Sequence, residues 1–269
     1  MKAAIRAQFN RQAACYLRGS GMDDPEALGR MVAAVCPGPA DRALDVACGA
    51  GFLALALARR AEMVAGLDLS ERMLTEAERL RIEQGTGNVA FLRGDAERLP
   101  FGDGRFQAVT CKLALHYFPG AARALSEMRR VLAPDGRLAL MDRVASEDPE
   151  QRAWHIRIEQ ARTPCKLRLY APSEVSGMFQ KAGFEVVARQ AWTRRLDFED
   201  WVQRTGASEE MACRARDLLT ASIPGDRAGL DPRWEEGRLT FEMPEFLIAA
   251  LKEGPEDIIR NSGNQESCF

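Results

Sequence analysis

The 269-residue chain has no C-x-x-C pair, only two histidines, three tyrosines and no long apolar run. Its cysteines, at 15, 36, 48, 111, 165, 213 and 268, are scattered and odd in number. That pattern carries no metal or redox signature and argues against a disulfide framework, so a reducing compartment, the cytoplasm, is the economical reading. No segment approaches the roughly 18 apolar residues of a membrane span, and no secretory apolar segment is present. A net charge of −2 provides no general attraction to nucleic acid or to an anionic membrane. The expected partner is a small acceptor molecule, and the chain a monomer or homodimer. Residues 1–22 carry Lys2, Arg6, Arg11 and Arg18 with no acid before Asp23. Ile5, Phe9, Ala13 and Tyr16-Leu17 recur there at helical spacing, which predicts an amphipathic helix packed on the domain. The alternative is an organellar transit helix and a matrix location.

What is present begins with Leu44-Asp-Val-Ala-Cys-Gly-Ala-Gly51 running into Phe52–Ala58. A short apolar strand turns through two glycines and leaves as an apolar helix. Such a turn brings backbone N–H groups and a helix N-terminus to one point, suited to a nucleotide-like ligand. The spacing Gly49-x-Gly51-x-x-Ala54 also fits the dinucleotide fingerprint, so the turn alone leaves the cofactor open.

Further apolar runs at 63–68, 89–92, 106–111 and 137–141 alternate with helical segments at about 70–84 and 121–132. This alternation predicts an α/β fold: a doubly wound, Rossmann-like, seven-stranded and mostly parallel sheet with helices on both faces and a helical cap. Residues 1–40 are expected to be N-terminal helices forming part of the cap, and 41–145 the cofactor-binding core. Residues 146–253 would complete the sheet, with a short strand at 184–188, cap helices within 195–222, and a strand pair at 239–242 and 246–251 split by Pro244. Residues 254–269 read as a loosely held tail. Ligands bind beyond the carboxyl ends of such strands, where Asp45–Gly51, Asp68, Asp95 and Lys112–His116 all fall.

The acids choose the cofactor. Asp68 ends the second strand, where a carboxylate can accept from both ribose hydroxyls in NAD-binding and S-adenosylmethionine (SAM)-binding sheets alike. Asp45 lies where a methionine ammonium could be met, and Asp95 where an adenine amine could be read; an NAD site needs neither. No Tyr-x-x-x-Lys or similar hydride-transfer set is present. Four ordered blocks, 44–51, 66–74, 94–101 and 106–119, followed by Glu127–Leu138, resemble class I SAM-dependent methyltransferases of the ubiquinone/menaquinone C-methyltransferase branch. The resemblance implies that Ala47, Gly49, Ala50 and Gly51 line the methionine and ribose, and that Asp68 holds the ribose. It also implies that Leu69 and Met73 flank the adenine, that Asp95 and Ala96 read its edge, and that Lys112 borders the methionine part. Ala47 stands where the pattern has glycine, Gln107 where it has Asp, and Thr163-Pro-Cys-Lys166 where many members carry a His-bearing link.

Methyl transfer from a sulfonium is an in-line displacement that needs alignment more than acid or base. The expected product is S-adenosylhomocysteine, and the acceptor atom an O, C or N. If a base is needed, His116 is the first candidate, with Tyr16 and Tyr117 nearby. His155 sits in a polar helical stretch and is expected on a solvated face. Cys48, Cys111 and Cys165 read as packing rather than as a metalloid site. The alternatives are a catalytically silent SAM-binding or scaffold protein and a macromolecule methyltransferase, which should add a basic platform that is not visible here.

Overall fold

A computed structural model describes residues 1–16 and 22–252, the side chains of 14–16 excepted. The tail at 254–269 therefore lies outside the described residues, as does the side chain of Tyr16. Two helices, α1 (Lys2–Tyr16) and α2 (Pro25–Val35), precede the sheet. Asp24 accepts from Glu26 N–H and Pro25 fills the first turn, which sets the start of α2. The first half then alternates as β1 (Arg42–Val46), α3 (Phe52–Ala58), β2 (Met63–Asp68), α4 (Glu71–Glu83), β3 (Val89–Arg93), β4 (Phe106–Lys112), α5 (Ala121–Val131) and β5 (Leu132–Arg143). Ser70 caps α4, its hydroxyl accepting from Met73 N–H.

The second half comprises α6 (Pro149–Arg162), α7 (Pro172–Lys181), β6 (Phe184–Asp197), α8 (Phe198–Gln203), α9 (Glu209–Ala221), β7 (Arg233–Glu235) and β8 (Arg238–Lys252). The sheet order is β3-β2-β1-β4-β5-β8-β6, with β7 hairpinned onto β8 as an eighth strand. β1 to β5 are parallel, whereas β8 runs antiparallel to both of its neighbours. Adjacent residues alternate between the two faces, as the period of a pleated strand requires. Leu44, Leu140 and Ile248 pack with α5 and α7, while Ala43, Ala139 and Leu247 pack with α2 and α3. Among the described residues no helix is long and apolar enough to cross a membrane.

Two strand expectations need correction. The predicted strand at 184–188 extends to Asp197, and the two expected around Pro244 are one continuous strand. Pro244 is tolerated because β5 ends at Arg143, paired with Glu245. Val144 N–H donates to the Pro244 carbonyl, so the missing proline N–H faces the side where the β5 ladder stops. The β6–β8 ribbon thus projects beyond the carboxyl ends of the parallel strands. Its outer half, with Leu196, Leu239, Phe241 and Met243, forms a third apolar cluster with α6, α8 and α9 around Phe198 and Trp201. That ribbon carries helices over the sheet edge where the predicted site lies.

Candidate active site

The glycine turn is built from hydrogen bonds to the neighbouring strand. Cys48 N–H donates to the Leu67 carbonyl at 3.0 Å, Gly49 N–H to Asp68 Oδ2 at 2.9 Å, and Gly51 N–H to the Cys48 carbonyl at 2.9 Å. Gly49 and Gly51 have φ of +54° and +85°. A Cβ on Gly51 would lie 2.7 Å from the Phe91 ring, and one on Gly66 would lie 2.5 Å from it. The two glycines therefore let Phe91 pack beneath the turn. Ala47, at φ +57°, occupies the left-handed region without glycine's freedom, as does Leu113 at +55° just past β4. Such strain costs about 1–2 kcal/mol per residue, and both residues face the same cavity.

That cavity runs across the carboxyl ends of β3, β2, β1, β4 and β5, which contribute Asp95, Asp68, Asp45, Lys112 and Arg143 in that spatial order. Four strand spacings make this a path of about 19 Å. Of the residues predicted to hold a cofactor, Asp45, Ala47, Gly49, Ala50, Asp68, Leu69, Met73, Asp95, Ala96 and Lys112 all line it. Gly51 does not. It caps α3 behind the turn, against Phe91.

The acids differ in environment. Asp68 is committed to the backbone N–H groups of Gly49 and Ser70, and burial still raises its pKa above the usual carboxylate value. Asp45 is buried beside Thr110, whose hydroxyl donates to Oδ1 at 2.9 Å, while Oδ2 has no hydrogen-bond partner among the described residues. Burial pushes the Asp45 pKa up to about 7, against the opposing pull of Thr110 and Lys112. Lys112, also buried, is lowered to about 8 by desolvation, and its Nζ donates to the Met22 carbonyl at 3.2 Å. Asp95 Oδ2 and Glu97 Oε2 share Lys2 Nζ, at 2.7 and 2.8 Å, so the first turn of α1 closes over the β3 end. Gln107, the departure on β4, accepts from Arg42 N–H and ties β4 to the start of β1, a structural task far from the cavity.

His116 lies in a single 3-10 turn, Leu115–Tyr117, and lines the cavity. Its Nδ1 meets Asp142 Oδ1 at 2.5 Å, and its backbone N–H donates to Asp142 Oδ2 at 3.2 Å. With Nδ1 donating to the carboxylate, Nε2 is the nitrogen able to accept a proton. Burial lowers the His116 pKa below 6.5 despite Asp142, leaving the ring neutral at pH 7. Tyr117 lines the same cavity, edge-on to Phe9 at 4.9 Å and 4.2 Å from the His116 ring.

Four participants were not singled out from sequence: Asp142, Arg143, Arg162 and Arg204. Asp142 follows the apolar run 137–141, so an acid at a strand's carboxyl end was the available signal. The arginines come from β5, α6 and the end of α8, which only tertiary structure brings together. The expectation for His155 is overturned. It is 0% exposed, packed with Glu159 and Lys166, and neither ring nitrogen has a hydrogen-bond partner. Glu159, one turn on, meets Lys166, Arg162 and Arg143, so the polar face of this helix is an interior one.

Comparison with known proteins matches residues 44–140 to the family described as Methyltransferase domain. The chain is 31% identical over 212 residues to the uncharacterized methyltransferase YcgJ of Bacillus subtilis (strain 168), covering 79% of this chain and 83% of that protein. The crystal structure of YcgJ superposes with a TM-score of 0.81 at 29% identity, covering 85% of this chain and 99% of the other. A demethylmenaquinone methyltransferase of Clavibacter sepedonicus is 30% identical over 199 residues, 74% of this chain and 77% of that protein. With a matching family model, 31% identity to YcgJ and a superposable fold over most of its length, the chain belongs to the methyltransferase-domain family of SAM-dependent methyltransferases.

Proposed function

We propose that this protein binds SAM along the β3–β1 half of the cavity and transfers its methyl group to an O, C or N atom of a small-molecule acceptor bound toward β5. The observation that carries the reading is the single cavity with carboxylates at one end and the His116–Asp142 pair toward the other. The residues present fit the cofactor. The unpartnered, buried Asp45 Oδ2 suits an ammonium group, and Asp68, fixed by two backbone N–H groups, suits a pair of vicinal hydroxyls. Leu69 and Met73 offer apolar contact to a base, Asp95 and Ala96 offer an acceptor and a donor to its edge, and Ala47, Gly49, Ala50 and Lys112 would enclose the remainder. Bound SAM supplies an electrophilic methyl on a sulfonium.

The protein's task is then alignment, exclusion of water and, where the acceptor must lose a proton, its removal. His116 Nε2 would take that proton, with Asp142 holding the ring and stabilising the imidazolium. We assign residues 1–40 and 195–222 to a cap over the acceptor and 41–145 to the donor half, because Ile5, Phe9, Met22, Arg204 and Thr205 line the cavity from outside the sheet. A cavity so covered supports a small acceptor over a macromolecular one.

Calorimetric titration should show one site for SAM and for S-adenosylhomocysteine; NADH binding without either would overturn the proposal. With an acceptor in hand, His116→Gln should lower kcat by roughly 10²-fold or more. It should also remove the acidic limb of the pH profile, and an unchanged kcat would remove His116 from the reaction.

A further inference from the structure

Three guanidinium groups from three separate elements meet at the β5 end of the cavity: Arg143 at the end of β5, Arg162 at the end of α6, and Arg204 just past α8. Behind them Lys166 and Glu159 are both 0% exposed and paired at 2.8 Å. Arg162 reaches the same carboxylate at 3.1 Å and Arg143 reaches it at 3.7 Å. One buried carboxylate thus serves three cations, with Arg204 a fourth nearby. Of the other buried acids near this region, Asp142 is engaged by His116 and by the backbone N–H of Arg143, and Glu245, opposite Arg143 on β8, is engaged by Arg194 and Trp192. His155 adds no further positive charge, since burial lowers its pKa to about 4 and keeps it neutral. Asp200, one turn before Arg204, is exposed.

Burying cations in excess of anions is unfavourable unless a further anion joins them. Several donors at this site remain to be used. Arg162, 3% exposed, gives one terminal nitrogen to the Trp201 carbonyl at 2.9 Å and the other to Glu159, while its Nε has no hydrogen-bond partner among the described residues. The Nε of Arg204 is likewise buried without a partner. Guanidinium groups match the planar oxygens of carboxylates and phosphates in paired hydrogen bonds. The same cavity is also lined by the apolar side chains of Ile5, Phe9, Met22 and Phe118.

We infer that the methyl acceptor is an oxyanion-bearing small molecule with an apolar body, its carboxylate or phosphate held by Arg162 and Arg204 with Arg143 alongside. This rests on the reading of the cavity as a methyl-transfer site. It assigns a role to the Thr163–Lys166 link, where Lys166 shares Glu159 with Arg162 and so leaves that guanidinium only partly neutralised. It also disfavours amines and other cationic acceptors, which would meet like charge at this end.

The test uses the full chain saturated with S-adenosylhomocysteine and titrated calorimetrically with phenyl phosphate, benzoate and neutral benzyl alcohol. At least one oxyanion should bind at a single site roughly tenfold or more tighter than benzyl alcohol, with affinity falling as salt rises. The ranking of the two oxyanions says which headgroup the site prefers. Arg204→Gln should weaken the bound oxyanion roughly tenfold or more, while S-adenosylhomocysteine affinity, which reports folding, stays within about twofold. Should that variant not fold, Arg204→Lys keeps the charge, loses the fork, and should weaken binding roughly three- to tenfold. Equal binding of benzyl alcohol, binding of none of the three probes, or an unmoved oxyanion affinity in the variants would overturn the inference. Failure of S-adenosylhomocysteine to bind, with oxyanions still bound, would instead overturn the methyl-transfer reading.

Discussion

Replacing His155 with Leu isolates one buried titratable group whose effect on stability can be worked out. His155 is 0% exposed, has no hydrogen-bond partner for either ring nitrogen, and has its pKa lowered by burial to about 4. Glu159 pulls it upward, and Lys166 and Arg143 push it down. In the unfolded chain the imidazole titrates near 6.5. Above pH 6.5 it is neutral in both states and contributes nothing to the pH dependence. As pH falls through 6.5 the unfolded state gains a proton that the folded state refuses until pH 4, so stability is lost across that window. Linkage with these two values gives a loss of about 2 kcal/mol by pH 5 and about 3 kcal/mol by pH 4. His155→Leu fills a similar volume without a proton site. Urea unfolding of both proteins at pH 7.5, 6, 5 and 4 should show the variant gaining on the wild type by those amounts as pH falls. Parallel pH curves for the two proteins would refute the placement of His155 as a buried, neutral side chain.

Three further outcomes follow from the donor half. Asp68→Asn should weaken S-adenosylhomocysteine binding by roughly 10–150-fold, the equivalent of one charge-assisted hydrogen bond, and unchanged calorimetric affinity would sink the ribose role. Asp45, raised by burial to about 7, should be protonated below that pH in the free protein. A ligand ammonium favours the ionised form, so affinity should fall toward tenfold per unit below pH 7 and level off above it; Asp45→Asn should flatten that profile. Ala47→Gly relieves a left-handed alanine at φ +57°, and after the larger entropy of an unfolded glycine the net gain should be about 0.5 kcal/mol. A lowered melting temperature in that variant would show that the alanine conformation is not strained.

The parallel half of the fold was legible because its signals are local. Ser70 caps α4 through a bond to Met73 N–H three residues on. Gly49 and Gly51 take positive φ within one turn, and the apolar runs of β1, β2 and β4 are short strands buried on both faces. The acids Asp45, Asp68 and Asp95 could be placed because each ends or follows a strand, and parallel strands put such positions on one edge. Gly51 shares the turn's sequence and lies against Phe91, a packing that its place in the motif does not reveal.

The antiparallel half was less legible. β6 carries Glu185, Arg189, Arg194 and Arg195, a pattern without continuous apolar alternation, because it is the sheet's edge strand and needs no second covered face. Pro244 signals a break in sequence, yet β8 continues because its neighbour ends there. His155, in a polar helical stretch, reads as part of a solvated face. Charge predicts exposure only until opposite charges are buried with it: Glu159 meets Arg162 and Lys166 nearby in sequence and Arg143 from β5.

The sequence by itself thus determined the parallel half of the sheet, the turn and the edge on which the strand-end acids gather, since caps, glycines and strand ends act within a few residues of where they stand. Only the tertiary structure decided what lies at the other end of the cavity. The β6–β8 ribbon lifts α8 and α9 against α6, and that packing, rather than any local motif, sets Arg143, Arg162 and Arg204 around the space where an acceptor would sit.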